Sequence, residues 1–144
     1  MQENIDISVI PSNYPICFNR ECSKAVTCLR QIAEQNTPDE KERLIIISPK
    51  YLSTLKGACP HYRSSKKVRY AKGFIKILDN LPYTQMRKVI SKLTTYFGRT
   101  HYYRVRKGER LLSPAEQQGV LNILKNCGAT GLQEFDKYIE EYNW

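Results

Sequence analysis

Residues 82–98 carry the apolar spacing of one amphipathic helix, and this stretch constrains the fold more than any other. Its apolar residues recur at i, i+3, i+4, i+7 and i+11, which gives an α-helix one continuous buried stripe. Pro82 stands where a helix start tolerates proline, and Gly98 suits a helix end. A stripe of this kind needs a core to pack against. The apolar residues are Met86, Val89, Ile90, Leu93 and Phe97.

A second helix is predicted after Ser113, because Ser113-Pro114-Ala115-Glu116 forms a capping box with proline at the first helical position. Gly128 would close this helix. Weaker patterns elsewhere predict further elements. These are strands at 5–9 and 44–47, helices at 23–34, 68–78 and 132–142, and a β-hairpin at 101–112.

Together these elements predict an α+β fold, a mostly helical single domain with one short basic β-hairpin. The length of 144 residues is ordinary for one domain with its own core. Within residues 1–144 we distinguish a cysteine-containing N-terminal part at 1–49, a basic segment at 50–112 and a C-terminal helical pair at 113–144.

Basic charge is concentrated in the middle of the chain. Residues 50–110 contain sixteen of the 23 lysines and arginines and only two acids, for a net charge of +14. Seven of the ten tyrosines lie in the same stretch. The electric field of so much positive charge attracts polyanions. Tyrosine rings can stack on the unpaired bases of a single-stranded nucleic acid. The sequence therefore predicts a non-catalytic binding protein for nucleic acid or another polyanion.

The order of the central elements resembles a winged helix-turn-helix, with the helix at 82–97 facing a groove and the hairpin forming a wing along phosphates. Order alone is a weak signal, because many small domains contain two helices and a hairpin. The predicted nucleic-acid-binding residues are Lys66, Lys67, Arg69, Arg87, Lys88, Lys92, Arg99, Arg104, Arg106, Lys107 and Arg110.

Several function classes lack their motifs in this sequence. No G-x-x-x-x-G-K-[ST] phosphate-binding loop is present. Paired carboxylates for a magnesium-dependent nuclease are missing from the basic segment, where Asp79 and Glu109 are the only acids. No apolar run reaches the length of a membrane span, and the first residues do not follow a signal-peptide pattern. We therefore expect a soluble cytoplasmic protein without a membrane partner.

Four cysteines have a spacing that could hold a structural metal. They follow the pattern C-x4-C-x5-C-x30-C-P, and four thiolates complete the coordination of a zinc ion or an iron–sulfur cluster. The predicted ligands are Cys17, Cys22, Cys28 and Cys59, with His61 as an alternate ligand. Cys127 is excluded, because its helical phase places it in the core. The alternative reading is that these are ordinary buried thiols, since free cysteine packs as a small hydrophobe.

Two other functions stay open at this point. The chain could be a protein–protein interaction module with buried structural cysteines, its basic face meeting an acidic protein. It could also be a thiol-dependent enzyme using Cys59, because neighbouring Arg63 and Lys66 would favour a thiolate. No orienting acid or oxyanion hole accompanies that cysteine, so the enzyme is the weaker alternative.

Two motifs resemble a family of small uncharacterised bacterial proteins of unknown function. The first is Gly57-x-Cys59-Pro60. The second begins at Tyr102 and reads Y-Y-R-x-R-x-G-E-R-x-L-x-P-x-E-Q. The resemblance covers most of the chain, and it implies no activity, cofactor or functional residue.

Overall fold

The computed structural model describes residues 5–131 and 133–144 and confirms the α+β class. The described chain contains six α-helices and one two-stranded antiparallel sheet. It groups into two compact units, a central unit of residues 67–141 and an N-terminal unit of residues 1–66 with 142–144. The helices are α1 Leu29–Gln35, α2 Pro49–Leu52, α3 Ile75–Asp79, α4 Tyr83–Phe97, α5 Arg99–Lys107 and α6 Pro114–Asn126, and the strands are β1 Val68–Lys72 and β2 Lys137–Glu141.

The central unit packs α3 to α6 and the sheet around one core. β1 and β2 pair antiparallel, with Val68 opposite Glu141 and Lys72 opposite Lys137. Leu112 also pairs with β1, through an isolated antiparallel bridge to Ala71. The buried core residues are Ala71, Phe74, Ile77, Leu78, Val89, Leu93, Tyr102, Val105, Leu112, Val120, Leu124 and Phe135.

The two strongest helical patterns are confirmed. α4 spans Tyr83–Phe97 directly after Pro82, and α6 spans Pro114–Asn126 with Ser113 as its cap. The Ser113 hydroxyl accepts a hydrogen bond from the Glu116 backbone N–H at 3.2 Å, as the capping box requires. α4 and α6 pack directly against each other. The spacing of apolar residues and the capping residues were sufficient to predict both helices.

The single helix predicted at 68–78 is wrong. β1 occupies its first half, and α3 occupies its second half. Gly73 separates them with a φ of +80°, a backbone conformation that L side chains rarely adopt. The Phe74 N–H then donates to the Arg106 carbonyl at 3.2 Å, which ties this turn to α5.

The β-hairpin predicted at 101–112 is also wrong, because most of that range belongs to α5. The helix buries Tyr102 and Val105, which are three residues apart, and leaves Tyr103 44% exposed. The β-propensity of the tyrosines favoured a strand, but the core takes the helical phase. No wing follows α4, so the winged-helix comparison is not confirmed.

The helix predicted at 132–142 is replaced by β2. A strand partner supplies the reason, since the β2 backbone hydrogen-bonds to β1, about seventy residues earlier in the chain. Phe135 is buried in the core, and the Tyr138 hydroxyl accepts from the Phe135 N–H at 3.2 Å. Leu132, which began the predicted helix, lies outside the described residues.

The N-terminal unit also corrects three predicted elements. The strand at 5–9 is instead a short 3-10 turn, Ile7–Val9. The helix at 23–34 starts later, at Leu29, after a 3-10 turn. The buried strand at 44–47 is largely exposed, and only Ile46 bridges, in parallel, to Ile16. The two predicted strands failed because a short apolar run forms a regular strand only where another strand pairs with it.

Candidate functional site

The α4–α5 basic region, residues 83–107, has the most uniform charge in the chain. It contains seven basic residues and no acid. All except Arg106 are exposed, and Arg106 is half-buried. None of the seven forms an ion pair with a described carboxylate. The seven are Arg87, Lys88, Lys92, Arg99, Arg104, Arg106 and Lys107.

An open depression of about 470 Å³ lies along one face of α4 within this region. All of its lining side chains come from α4, at the spacing of neighbouring helical turns. Tyr83, at the start of the helix, is 67% exposed, and the Arg87 guanidinium lies 5.9 Å from its ring centroid. The lining residues are Thr84, Arg87, Lys88, Ser91 and Lys92. The face offers three cations and two hydroxyl groups together.

The other predicted phosphate-contacting residues are placed differently. Arg110 is neutralised by Glu116, with Nη1 2.8 Å from the carboxylate, and is only partly exposed. Arg69 on β1 stacks over the Tyr138 ring at 3.8 Å. Lys67 is exposed at the start of the central unit, whereas Lys66 belongs to the N-terminal unit. Of the eleven predicted residues, the other seven lie on α4 and α5.

The N-terminal unit brings all five predicted metal-ligating residues to one cavity of about 210 Å³. We call it the thiol cavity. Ile47, Leu52 and Leu55 form part of its wall, and none of its described lining residues is acidic. Its remaining lining residues are Cys17, Asn19, Cys22, Ser23, Lys24, Cys28, Arg30, Gln31, Gly57, Cys59, His61 and Tyr62.

Backbone pairing explains why distant cysteines reach the same cavity. The segment before α1 pairs with the segment after Cys59, through an antiparallel bridge between Cys28 and Ser64. The Leu29 N–H also donates to the Arg63 carbonyl at 2.7 Å. Cys17 is held from the other side, since its N–H donates to the Arg30 carbonyl at 3.2 Å. Main-chain contacts therefore help to place Cys17 and Cys28.

Gln31 is the buried polar residue of this cavity, with only 1% of its surface exposed. Its Nε2 donates to the Cys17 sulfur at 3.5 Å and to the Asn19 carbonyl at 2.5 Å. The Asn19 carbonyl also accepts from the Cys22 N–H at 3.3 Å, so one amide links the positions of two cysteines. The Oε1 of Gln31 accepts no hydrogen bond from any described residue.

Arg30 places a buried cation beside the thiols. Its Nε donates to the His61 carbonyl and its Nη1 to the Pro15 carbonyl, both at 2.7 Å. The guanidinium lies 4.8 Å from the centroid of the Tyr14 ring. No described carboxylate forms an ion pair with it. The local field at the cavity is therefore positive.

The cysteines themselves are free thiols, with Cys28 buried and the others half-buried. Across residues 5–131 and 133–144, no three histidine, cysteine, aspartate or glutamate side chains already stand close enough to hold a metal ion. The cavity therefore contains the kinds of side chain that bind zinc, but not at metal-binding distances from one another.

Sequence reasoning missed Arg30, Gln31 and Lys24 as parts of this cavity. In the helix predicted at 23–34, Arg30 and Gln31 lie outside the apolar stripe and are therefore expected to be exposed. The structure starts α1 at Leu29 and buries Leu29, Arg30, Gln31 and Ala33. No sequence signal would have identified Lys24, because its position depends on the folding of the preceding loop.

These features define a small basic α+β protein with a cationic helical surface and a thiol-lined cavity. The chain belongs to DUF6078, a family of unknown function whose model matches residues 1–144. Neither the curated proteins nor the solved structures include a match to it. No helix in the described parts of the chain is long and apolar enough to cross a membrane.

Proposed function

We propose that this protein binds nucleic acid through the phosphate backbone, using the exposed face of α4 with help from α5. The observation that carries the proposal is the α4–α5 basic region, which has seven basic residues and no acid. Unpaired cations on one surface repel each other, and a polyanion relieves that repulsion while releasing its own counterions.

The spacing on α4 suits a phosphate chain. Arg87 and Lys92 are five residues apart, which corresponds to about 8 Å along a helix axis. At that separation the two cations can contact different phosphates of one strand. Thr84 and Ser91 line the same depression and add hydroxyl donors to the cations. Backbone contacts of this kind give affinity without sequence preference.

The first prediction concerns two lysines of that face. The double variant Lys88→Glu with Lys92→Glu should weaken binding to a fluorescent oligonucleotide by at least about tenfold at low salt, because two phosphate contacts become repulsive. In the wild type, the affinity should fall steeply between about 50 and 200 mM salt. Fluorescence anisotropy measures both quantities, and the salt slope of the double variant should be smaller by about two contacts.

The matched control changes the same total charge elsewhere on the central unit. Lys125→Glu with Lys137→Glu alters two exposed lysines outside the α4–α5 basic region. This pair should weaken binding much less. If both double variants lose the same affinity, net charge alone explains the effect and the α4 face is not the binding site. A wild type without salt-dependent binding would overturn the proposal.

An acidic protein is the competing partner for the same surface. Arg87 and its neighbours would also attract clustered carboxylates, so charge alone does not separate the two partners. Binding to a polyglutamate peptide but to neither single-stranded nor duplex oligonucleotides would replace nucleic acid by an acidic protein.

A further inference from the structure

The chemistry of the thiol cavity differs from that of the α4–α5 basic region and points to a different ligand. Four cysteines and one histidine from three segments of the chain line it. Thiolate and imidazole are the ligands that zinc prefers, and four of them complete a tetrahedral site. We propose that the N-terminal unit binds one Zn²⁺ ion in this cavity. Its ligands are Cys17, Cys22, Cys28 and Cys59, with His61 able to replace one sulfur.

Charge balance in the cavity supports a thiolate-bound ion. A zinc ion with four thiolates carries a net charge of about −2, since each thiolate contributes one negative charge. Lys24 and Arg30 line the cavity and supply two positive charges, and no acid in the lining competes for them. Buried charges are ordinarily paired or bound to metal, and Arg30 has no described carboxylate partner.

Gln31 provides an independent observation. Its amide N–H groups already orient the Cys17 sulfur, which is the role of an outer-shell residue around a metal thiolate. Its Oε1 is buried and unpaired among the described residues, and a buried acceptor without a hydrogen bond is destabilising. A cavity with this acceptor and four thiols is suited to a polar occupant rather than to further apolar packing.

Binding must draw the sulfurs inward, because the described donors do not yet meet at one point. Rotation about one side-chain bond moves a cysteine sulfur without moving the backbone. Each thiol S–H bond breaks as a Zn–S bond of about 2.3 Å forms, and its proton passes to the buffer. The bound ion should then crosslink the segment before α1 to the segment after Cys59.

The test uses the full chain, reduced and freed of metal, and titrates it with Zn²⁺ against a chromophoric chelator. We expect one equivalent of Zn²⁺ per chain, with protons released to the buffer as the Zn–S bonds form. We also expect a rise in Tm of roughly 5 °C or more, because Zn²⁺ binds only the folded chain.

Two variants locate the site. Cys59→Ser should lose stoichiometric uptake, whereas Cys127→Ser should keep it, because Cys127 packs against the core of the central unit. Circular dichroism checks that each metal-free variant is folded. Should Cys59→Ser fail to fold, Co²⁺ bound to the wild type still gives a thiolate charge-transfer band if sulfur is the ligand.

Two outcomes would overturn the zinc site. They are uptake well below one equivalent, and equal uptake by the wild type and a folded Cys59→Ser. A chain that takes up no Zn²⁺ but forms an internal disulfide through Cys59 on peroxide treatment would identify a redox pair instead. The zinc titration does not depend on nucleic-acid binding, so a protein that fails to bind oligonucleotides can still show the zinc site.

Discussion

Gly73 occupies a restricted backbone position of the central unit. Its φ of +80° lies in the region that favours glycine, and a Cβ built there would stand 2.8 Å from the Asp136 Oδ2. The Arg106 carbonyl oxygen would be 3.3 Å away. A side chain at this residue therefore meets both a strained conformation and an occupied space.

Gly73→Ala should lower the free energy of unfolding by roughly 2–4 kcal/mol, because left-handed strain adds to the displacement of a buried junction. Urea denaturation of the wild type and the variant measures the difference. Gly131→Ala is the matched control, since Gly131 has a φ of +91° but no atom within 4 Å of the added Cβ. It should lose only about 1–2 kcal/mol. Equal losses would contradict the steric part of the argument.

Asp136 connects two elements, because it caps α3 from the turn before β2. Its carboxylate accepts from the Ile75 N–H at 2.9 Å and from the Lys76 N–H at 3.0 Å. Its own N–H donates to the Gly73 carbonyl at 2.9 Å. A five-residue helix depends on such a cap, since its first N–H groups have no partner within the helix.

Asp136→Ala should reduce the free energy of unfolding by about 1–2 kcal/mol, the usual loss for a removed helix cap. Asp136→Asn should lose less, because its amide oxygen still accepts one hydrogen bond. Asp79→Ala removes an exposed acid at the other end of α3 and should be near neutral. A cap variant as stable as the wild type in urea denaturation would show that α3 does not need Asp136.

At the scale of the whole molecule, buried tyrosines make folding sensitive to alkaline pH. Burial raises the pKa of Tyr14, Tyr70 and Tyr102 above the ordinary value of 10.0. For Tyr102 burial is the larger cause, and the Arg106 guanidinium beside the hydroxyl lowers the pKa and so opposes the shift. A raised pKa means that the folded state favours the neutral phenol.

Stability from these tyrosines is present below the unfolded pKa of about 10 and is lost as pH rises past it, because the unfolded chain then releases protons more readily. Tyr102→Phe should therefore flatten the loss of unfolding free energy between pH 9 and roughly 11. At neutral pH it should change stability by only about 1 kcal/mol, since the phenol is neutral there and the ring that packs in the core is kept. Parallel pH profiles for both proteins would refute the role of Tyr102.

Local patterns were enough to predict α4, α6 and the capping box at Ser113. Their signals lie within one helix length of sequence, and they agree with the packing of the core. The sequence alone also gives the positive charge of the α4–α5 basic region. It gives the spacing that singles out Cys17, Cys22, Cys28 and Cys59 as a possible ligand set. The structure adds that those four cysteines line one cavity.

Long-range contacts decided the rest. β1 and β2 are strands because each is the other's hydrogen-bond partner, and no local pattern records a pairing between Ala71 and Tyr138. α5 is a helix because the core accepts Tyr102 and Val105 on one face, although tyrosine and valine favour strands in isolation. Burial of Arg30 and Gln31 likewise depends on segments that meet only after folding, since their partners are carbonyls of distant residues.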